Sequence, residues 1–330
     1  MMDFCVLGSG IAGSTIANLL NKKNTVEIFD KSKGVGGRTS NRRYKNKLSF
    51  DHGAQYFSAE RKEFKNFLTK IFQKKIIKKW NGNHLNFILE NKKIKDKYIG
   101  KNGNNDISKY LLRSIKKNLN LKIKHISYNG KYWKIEANES KYFYSKNLII
   151  TFPHPQAISI SKKFLSKKLK NLKLKMDPNI TVMAVFKKNY CLPISSIIFN
   201  SNLITWAANE NSKNRFKSNF NLWTIQASNM YSKKKINNYK DKKKFYSTKI
   251  IKEFIKHTGY NYKDLIYKNI HGWKYAYGAS KNNIKSFWSN KYKLGICGDW
   301  LSGPKAEDAW ESANDLFKKI KKNPLKNKRV

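Results

Sequence analysis

The feature that most constrains the fold is a glycine-rich turn near the start of the chain. Residues 3–7 form a short apolar run that ends in GSGIAG, and the residues that follow have apolar side chains at helical spacing. A buried parallel strand that turns directly into a helix gives this pattern. A second strand, predicted over residues 25–30, ends in Asp30. The sequence therefore predicts a βαβ unit at the start of the chain.

The glycines of this turn, Gly8, Gly10 and Gly13, have the spacing G-x-G-x-x-G. Glycine at these places allows a tight turn, lets a pyrophosphate approach the backbone and permits close helix packing, while the helix N-terminus attracts the phosphates. Asp30 lies twenty residues beyond Gly10, where a carboxylate can accept both ribose hydroxyls of an adenosine. The combination predicts a dinucleotide-binding site.

Two further segments favour FAD over NAD as the dinucleotide. Residues 31–39, KSKGVGGRT, add a second glycine-rich loop with an arginine, which a simple nicotinamide dehydrogenase does not need. Residues 295–303, GICGDWLSG, place Asp299 after a strand and shortly before a helix. A carboxylate there can hold a polyol such as ribityl, and the helix N-terminus near residues 306–310 can stabilise negative charge on the reduced flavin.

The composition indicates a folded protein whose charge does not by itself identify a partner. The 330 residues are 40% apolar and 14% aromatic, which allows a substantial core. The net charge of +48 would suit phosphate arrays, but the lysines are scattered through every segment, as nucleotide bias would produce. No nucleic-acid-binding motif accompanies them. We therefore predict no specific nucleic-acid partner.

Other composition signals are negative. The three cysteines lack C-x-x-C spacing and the six histidines lack an H-x-x-x-H pair, so neither a disulfide framework nor a metal site is predicted. The N-terminal sequence does not have the pattern of a secretory leader, and no apolar run is long enough for a membrane span. These observations favour a cytoplasmic protein.

Periodicity predicts the remaining elements. Helical spacing favours helices over residues 60–80, 105–119, 157–174, 242–257 and 307–321. Strand-like runs occupy residues 121–128, 131–137, 147–152 and 294–299. Aromatic and β-branched runs between residues 180 and 228 predict a mixed or antiparallel sheet.

Seven blocks of the sequence are GSGIAGSTIA, GVGGRTSNRR, FDHGAQYF, ITFPHPQA, LITWAANENSK, HGWKYA and GICGDWLSGPKAEDAWESA. In this order, across nearly the whole chain, they resemble the FAD-dependent oxidoreductases of the amine-oxidase type, and within them the bacterial renalase-like group. The pair FDHGAQYF and HGWKYA is the more specific part of the resemblance. The resemblance implies oxidation of a small reduced molecule, with oxygen accepting the electrons to give hydrogen peroxide. For renalases the substrate is an isomer of a dihydronicotinamide nucleotide.

The fold class that follows is α/β. We expect a Rossmann-type, glutathione-reductase-like FAD-binding domain with an interleaved α+β substrate domain built on a mixed or antiparallel sheet. The final strand and helix resemble the opening βα unit, so both ends of the chain are assigned to one domain. The predicted FAD-binding domain comprises residues 1–75, 101–155 and 291–323, the substrate domain residues 76–100 and 156–290, and the basic tail residues 324–330.

The resemblance also assigns residues to non-covalently bound FAD. The expected cofactor-binding residues are Gly8, Ser9, Gly10, Ile11, Ala12, Gly13, Asp30, Lys31, Gly37, Arg38, Thr39, Gly53, Ala54, Gln55, Ile126, Gly298, Asp299, Ala309 and Trp310. Asp308 and Ala313 depart from the glycines that are frequent in relatives at these positions.

No residue is predicted as a general acid or base, because hydride transfer to flavin requires orientation of the donor carbon and the cofactor supplies the chemistry. Trp273 and Tyr275 alternate along a predicted strand, either as pocket walls or as core, and Lys274 between them would then face the opposite side. Asp51 and His52 are interpreted as a structural corner and not as a catalytic pair. The pocket candidates are Gln55, Tyr56, His271, Trp273, Lys274 and Tyr275.

Two alternatives remain open at this point. One is a flavin amine oxidase or a desaturase of a hydrophobic ring compound. The other is a noncatalytic flavoprotein that binds RNA or anionic lipid through its basic surface. For the leading hypothesis the partners are a small-molecule substrate and oxygen, and the chain is expected to be a monomer or homodimer.

Overall fold

The computed structural model describes residues 1–45, 48–88, 96–172, 174–278 and 284–322; the predicted basic tail, residues 324–330, lies outside them. The strands are β1 Met2–Leu7, β2 Val26–Phe29, β3 Asn41–Arg43, β4 Ser49–Asp51, β5 Ile77–Lys79, β6 His84–Asn86, β7 Tyr98–Gly100, β8 Lys116–Asn118, β9 Ile123–Tyr128, β10 Trp133–Ala137, β11 Tyr142–Ile150, β12 Met176–Lys187, β13 Ser196–Ile198, β14 Ile204–Asn209, β15 Phe220–Ala227, β16 Leu265–Gly278, β17 Ser286–Ser289 and β18 Leu294–Cys297. The α-helices are α1 Ile11–Leu20, α2 Lys62–Gln73, α3 Asp106–Leu111, α4 His154–Ser161, α5 Lys167–Lys170, α6 Asn229–Lys235, α7 Lys243–Thr258 and α8 Ala306–Lys322.

The chain divides into two compact units, and each unit is assembled from separate segments. The first unit comprises Met1–Gly37, Ile107–Met176 and Gly278–Val330, and the second comprises Arg38–Asp106 and Asp177–Tyr277. Both ends of the chain therefore contribute to the first unit. The predicted boundaries differ from these, because residues 38–75 and 101–106 belong to the second unit and residues 156–176 and 278–290 to the first.

The sheet of the first unit contains the predicted βαβ unit. Its strand order is β17-β18-β11-β1-β2-β8, with β10 and β9 continuing as an antiparallel extension from β11. β1 pairs in parallel with β2 and with β11, and β11 pairs in parallel with β18. Central parallel strands are covered on both faces, which explains why residues 4–7 of β1 and all of β18 read as apolar runs.

The sheet of the second unit has the order β16-β12-β15-β14-β13-β6. The β12–β15, β15–β14 and β14–β13 pairs are antiparallel, whereas β13 and β6 are parallel. The predicted mixed sheet is therefore confirmed. Trp223 and Ile225 of one face join the core that contains Ile250 and Phe254 of α7. α7 ends at Thr258 and is followed by the C-cap residue Gly259, which has a φ of +76°.

Two predicted helices end early because their residues join strands. In the first, α2 ends at Gln73, Lys75 has a left-handed φ of +56°, and Ile77 is buried in β5. In the second, α3 ends at Leu111 and the chain continues into β8, which pairs in parallel with β2. Asp106 is the first residue of this second helix.

The helix predicted over residues 157–174 is interrupted. It forms as α4, a 3-10 turn over Lys162–Phe164 and the short helix α5. The Ser166 side chain caps α5 by accepting a hydrogen bond from the Leu169 amide at 3.4 Å. A serine that competes for backbone hydrogen bonds begins a new helix here, although the apolar spacing runs through it.

Candidate functional site

The glycine-rich turn after β1 is built around two glycines that the protein's own packing requires. A Cβ on Gly13 would lie 1.9 Å from the Gly8 carbonyl oxygen, so only glycine allows α1 to approach β1 this closely. Gly8 has a φ of +104°, and a Cβ there would lie 2.5 Å from Thr151 Oγ1. The Thr151 hydroxyl donates to the Leu7 carbonyl at 2.9 Å, which ties the turn to the end of β11.

Gly10 differs from its two neighbours in the motif. It is the N-cap residue of α1 with a φ of −71°, which any residue can adopt. A Cβ on Gly10 would meet nothing nearer than the Gly36 carbonyl oxygen at 3.9 Å. The protein itself therefore leaves space at Gly10, at the start of a ten-residue helix whose N-terminus attracts anions. A dinucleotide pyrophosphate fits this position.

Asp30 lies beside the turn at the end of β2. Its Oδ2 accepts hydrogen bonds from the Ser9 amide at 2.8 Å and the Ser9 hydroxyl at 2.6 Å, and its Oδ1 accepts from the Ser32 amide at 2.9 Å. The carboxylate is partly exposed, and the adjacent Lys31 is exposed. The geometry brings the predicted ribose-binding carboxylate to the predicted phosphate-binding turn.

The C-terminal segment follows β18 in the same unit. Asp299 begins a 3-10 turn and is 3% exposed. The Gly298 amide donates to the Ser312 hydroxyl at 2.9 Å, which attaches the turn to α8. Asp308, one of the departures from relatives, accepts a hydrogen bond from the Lys305 amide at 2.9 Å and so closes the first turn of α8.

The other predicted cofactor residues of this unit lie in three places. Ala309 is buried in α8 and Trp310 is partly buried. Ile126 is buried in β9, opposite Ile135 of β10. Gly37 follows the glycine-rich loop with a φ of +54°, and a Cβ there would lie 3.2 Å from the Gly10 Cα.

In the second unit, the segment after β4 is fixed by backbone contacts. A Cβ on Gly53 would lie 2.0 Å from the Arg38 carbonyl oxygen and 3.2 Å from the Trp273 ring. The Ala54 amide donates to that same Arg38 carbonyl at 2.8 Å. The Arg38 guanidinium, which belongs to an expected cofactor-binding residue, donates to the Ala276 carbonyl at 3.0 Å. Thr39 follows it as a buried residue.

The side-chain amide of Gln55 forms hydrogen bonds with other groups of the protein. It is 6% exposed, and its amide nitrogen donates to the carbonyls of Asp51 and Gly53. Its amide oxygen accepts a hydrogen bond from Lys213 at 3.1 Å. These hydrogen bonds hold the segment, and the assignment of Gln55 to the cofactor and the pocket stays a prediction.

Three aromatic side chains meet beside Gly53 and are called here the histidine–tryptophan cluster: His52, His271 and Trp273. The Trp273 indole donates to the His52 carbonyl at 2.8 Å, and its ring stacks on His52 with centroids 5.2 Å apart. His271 contacts both rings at 5.0 and 4.4 Å. Burial, reinforced by nearby positive charge, lowers the pKa of His52 to about 3 and that of His271 to about 4. Both imidazoles are neutral at neutral pH.

The remaining pocket candidates do not belong to the histidine–tryptophan cluster. Lys274 is exposed, and its ammonium lies 6.0 Å from the centre of the Tyr275 ring. Tyr56 contacts Trp80 and Trp206, with ring centroids 6.4 and 5.9 Å apart. The structure thus brings His271 and Trp273 together with His52, and it places Tyr56 in a second aromatic group.

Sequence reasoning missed a buried ion cluster of Asp51, Glu210, Lys213 and Arg215. Each of these side chains is at most 2% exposed. The Lys213 ammonium lies 2.9 Å from Asp51 Oδ2 and 2.9 Å from Glu210 Oε2, and Arg215 also pairs with Asp51 Oδ2. The available signal was the charged ENSKNR directly after the apolar strand β14.

The two carboxylates of the ion cluster differ in their pKa. Burial by itself would raise the pKa of Asp51, but the charges of Arg215 and Lys213 outweigh burial and hold it below its usual range. Burial raises the pKa of Glu210, which the charge of Lys213 only partly opposes. The Thr224 hydroxyl donates to Glu210 at 2.6 Å. Asp51 is therefore ionised and paired with two cations.

Solved structures share this fold. A candidate protoporphyrinogen oxidase from Exiguobacterium sp. 255-15 has a TM-score of 0.74 at 11% identity, covering 98% of this chain and 99% of that chain. A triple mutant of putrescine oxidase with redesigned cofactor binding has a TM-score of 0.73 at 10% identity, covering 98% of this chain and 99% of that chain. The fold is that of the amine-oxidase type, which confirms the predicted fold class.

Sequence comparison adds a family model and a particular relative. Residues 6–71 match the NAD(P)-binding Rossmann-like domain. Renalase from Mus musculus is 26% identical over 174 residues, which cover 48% of this chain and 49% of renalase. The match thus spans about half the length of this curated relative. It confirms the resemblance to renalases that the sequence blocks indicated.

Two kinds of feature are absent from the described ranges. None of the helices there combines the length and apolar character needed to cross a membrane. In the same part of the chain, no group of three or more His, Cys, Asp and Glu side chains could hold a metal ion.

Proposed function

We propose that the chain is an FAD-dependent oxidoreductase of renalase-like type that oxidises an isomer of a dihydronicotinamide nucleotide. The observation that carries the cofactor assignment is the space at Gly10, where a Cβ would lie 3.9 Å from the Gly36 carbonyl oxygen, although Gly8 and Gly13 are tightly packed. Asp30, at the end of β2, lies beside that space through Ser9. Gly8, Gly10, Gly13 and Asp30 would hold the ADP half of FAD.

FAD, when bound, would supply the redox chemistry: it would take a hydride equivalent from the substrate, and oxygen would take up two electrons and two protons to give hydrogen peroxide. The residues of this chain bind and orient. Asp299 and the N-terminus of α8 would hold the ribityl and the ring edge. Gly53 and Ala54 offer a rigid backbone segment, and Trp273 offers a flat apolar face for a planar ring.

The positive charge near the histidine–tryptophan cluster favours an anionic nucleotide over a cationic amine as the substrate. His52 and His271 are neutral, and the charge of Arg42 acts on both of them. Asp51, the carboxylate next in the chain to His52, is already paired with two cations. A cationic amine would find an electropositive environment there, whereas an anionic nucleotide would be attracted.

An amine substrate is the second candidate, because the fold is shared with putrescine oxidase. Mixing the oxidised protein anaerobically with dihydronicotinamide isomers and with amines, while recording flavin absorbance, separates the two. We expect bleaching by the isomers. Bleaching by amines alone would overturn the substrate assignment, and a protein that acquires no flavin spectrum with added FAD would overturn the cofactor assignment.

A matched pair of variants localises substrate binding. Trp273→Ala removes a face of the cluster, and we expect slower bleaching with FAD still bound. Trp288→Ala is the control, because Trp288 lies on β17 of the first unit and its indole donates to the nearby Asn290 side chain at 2.7 Å. Equal loss of bleaching in both variants would argue against Trp273 as a pocket wall.

We also propose that FAD is released intact on denaturation and that the protein works in the reducing cytoplasm. Cys5 and Cys297 are free and completely buried. Burial raises the pKa of both thiols, and a thiol that stays protonated is a poor nucleophile for attachment to a flavin. The denatured protein should therefore have the mass of the unmodified chain.

A further inference from the structure

The buried ion cluster has no part in the chemistry proposed above, yet it places four charges in the interior of the second unit. Removing two ion pairs from water costs several kcal/mol per ion, and apolar residues of similar volume often serve stability equally well. Stability alone is therefore a weak reason for this cluster. The hydrogen bonds and ion pairs of the cluster indicate a more specific role.

The hydrogen bonds and ion pairs of the Lys213 ammonium lead to one short segment and to its counter-ions. Its ammonium contacts Asp51 at 2.9 Å, Gln55 at 3.1 Å and Glu210 at 2.9 Å. Asp51 and Gln55 are the two ends of the segment 51–55. Gln55 in turn donates to the carbonyls of Asp51 and Gly53. Lys213 thus fastens both ends of the segment at a single atom.

Arg215 fastens the same segment from a second direction. It pairs with Asp51, and its other nitrogens donate to the Gly100 carbonyl at 3.0 Å and to Asn104 Oδ1 at 2.9 Å. The Asn104 amides bond to Asp51 Oδ1 at 3.0 Å and to the Ala54 carbonyl at 2.7 Å. The position of segment 51–55 is therefore defined by two charged side chains of residues 213–215 and by the polar groups of Asn104.

The segment contributes His52 to the histidine–tryptophan cluster and contacts Trp273. The His52 carbonyl accepts the Trp273 indole hydrogen bond at 2.8 Å. The Gly53 carbonyl accepts from Gln226 at 3.0 Å, and the Trp273 ring lies 3.2 Å from the Cβ position of Gly53. A shift of the segment by a few tenths of an ångström would change the placement of the Trp273 ring.

We propose that Lys213 and Arg215 are positioning residues, which hold segment 51–55 so that His52, Gly53 and Trp273 present one fixed geometry to the substrate. The proposal rests on the proposed function in assigning the substrate to this cluster. A site that orients a hydride donor needs such rigidity, because small misplacements reduce the rate of transfer.

The charges of the buried ion cluster make the proposal testable through the protonation of Glu210. The groups that face Glu210 are Lys213, Asp51, Arg215 and the Thr224 hydroxyl. With Lys213 replaced by methionine, Glu210 loses its nearest cation and takes up a proton, whereas Asp51 keeps Arg215. A variant that also carries Glu210→Gln is neutral at both positions and has no such titration.

The experiment compares Lys213→Met, the double variant Lys213→Met with Glu210→Gln, and the control Lys233→Met. The control removes a surface lysine of the same unit, whose ammonium lies 2.8 Å from Asp177 and which is 52% exposed. Hydrogen–deuterium exchange of peptides covering residues 51–57 reports on the segment without substrate or activity. Anaerobic flavin reduction at several pH values, with the dihydronicotinamide isomer as probe, reports on orientation.

We expect the double variant to fold and to exchange in segment 51–57 about tenfold faster than the parent. We expect its flavin reduction to be about tenfold slower at saturating substrate, equally at each pH. In Lys213→Met the loss should vary with pH through one proton, and Lys233→Met should match the parent in every measurement.

Three results would overturn the proposal. They are a folded double variant with unchanged exchange in segment 51–57, a loss of reduction rate shared by Lys233→Met, and a double variant that does not fold, which would make the cluster a requirement for stability. If the parent reduces no flavin with any probe, the proposed function fails. The exchange measurement then still decides whether Lys213 holds the segment.

Discussion

The glycine-rich turn allows FAD binding to be separated from folding by two substitutions three residues apart. In Gly13→Ala the new methyl would lie 1.9 Å from the Gly8 carbonyl oxygen, whereas ordinary contact begins near 3.4 Å. In Gly10→Ala it would lie 3.9 Å from the nearest protein atom, the Gly36 oxygen. We therefore expect Gly13→Ala to lower the stability of the fold, and Gly10→Ala to lower only the affinity for a molecule that binds beside the turn.

The expected magnitudes follow from these distances. For Gly13→Ala, α1 would have to move by about 1.5 Å from β1, and overpacking of this kind costs about 3 kcal/mol. The higher helix propensity of alanine returns about 1 kcal/mol, so a net loss of about 2 kcal/mol is expected. For Gly10→Ala, the poorer N-cap and the smaller entropy of the unfolded chain oppose each other, leaving a net change within about 1 kcal/mol.

Binding should respond in the opposite way. A methyl at Gly10 occupies the space proposed for the pyrophosphate, and a steric cost of about 1–3 kcal/mol corresponds to a loss of roughly 5- to 150-fold in FAD affinity. The measurements are urea unfolding of the FAD-free protein and FAD titration followed by flavin fluorescence. If Gly10→Ala bound FAD as tightly as the parent while remaining equally stable, the space at Gly10 would not be the phosphate site.

Three further predictions concern the second unit. Gly53→Ala places a methyl 2.0 Å from the Arg38 carbonyl oxygen and should lower stability by about 3 kcal/mol in urea unfolding; a loss below about 1 kcal/mol would show that the segment yields easily. Asp51→Asn leaves two buried cations with a single carboxylate between them and should cost about 3–5 kcal/mol, whereas an unchanged urea midpoint would contradict the assigned ion pairs. Because burial lowers the pKa of His52 to about 3, the unfolded chain binds a proton that the folded protein does not, so stability should fall below pH 6.5 by about 1.4 kcal/mol per pH unit for this group. His52→Gln should reduce that slope, and an identical slope in the variant would exclude His52 as its source.

Local sequence determined the opening βαβ unit and its chemistry. The apolar run of β1, the glycine spacing and Asp30 lie within 30 residues of one another, and their geometry follows from strand and helix periods and from the missing glycine side chains. The breaks after α2 and α3 were not visible in the same periods. Residues with helical spacing joined β5 and β8 because partner strands elsewhere in the chain offered them backbone hydrogen bonds.

The arrangement of the second unit was decided by tertiary structure. Asp51 meets Lys213 and Arg215 across more than 160 residues, and His52 meets Trp273 across 221. A charge in a sequence is read as exposed until the fold shows its counter-ion, since only a partner in space can offset the cost of burying it. The sequence by itself therefore specified the dinucleotide turn and the kind of fold. Only the packed structure revealed that Asp51 and Gln55 hold the segment and that Lys213 joins them.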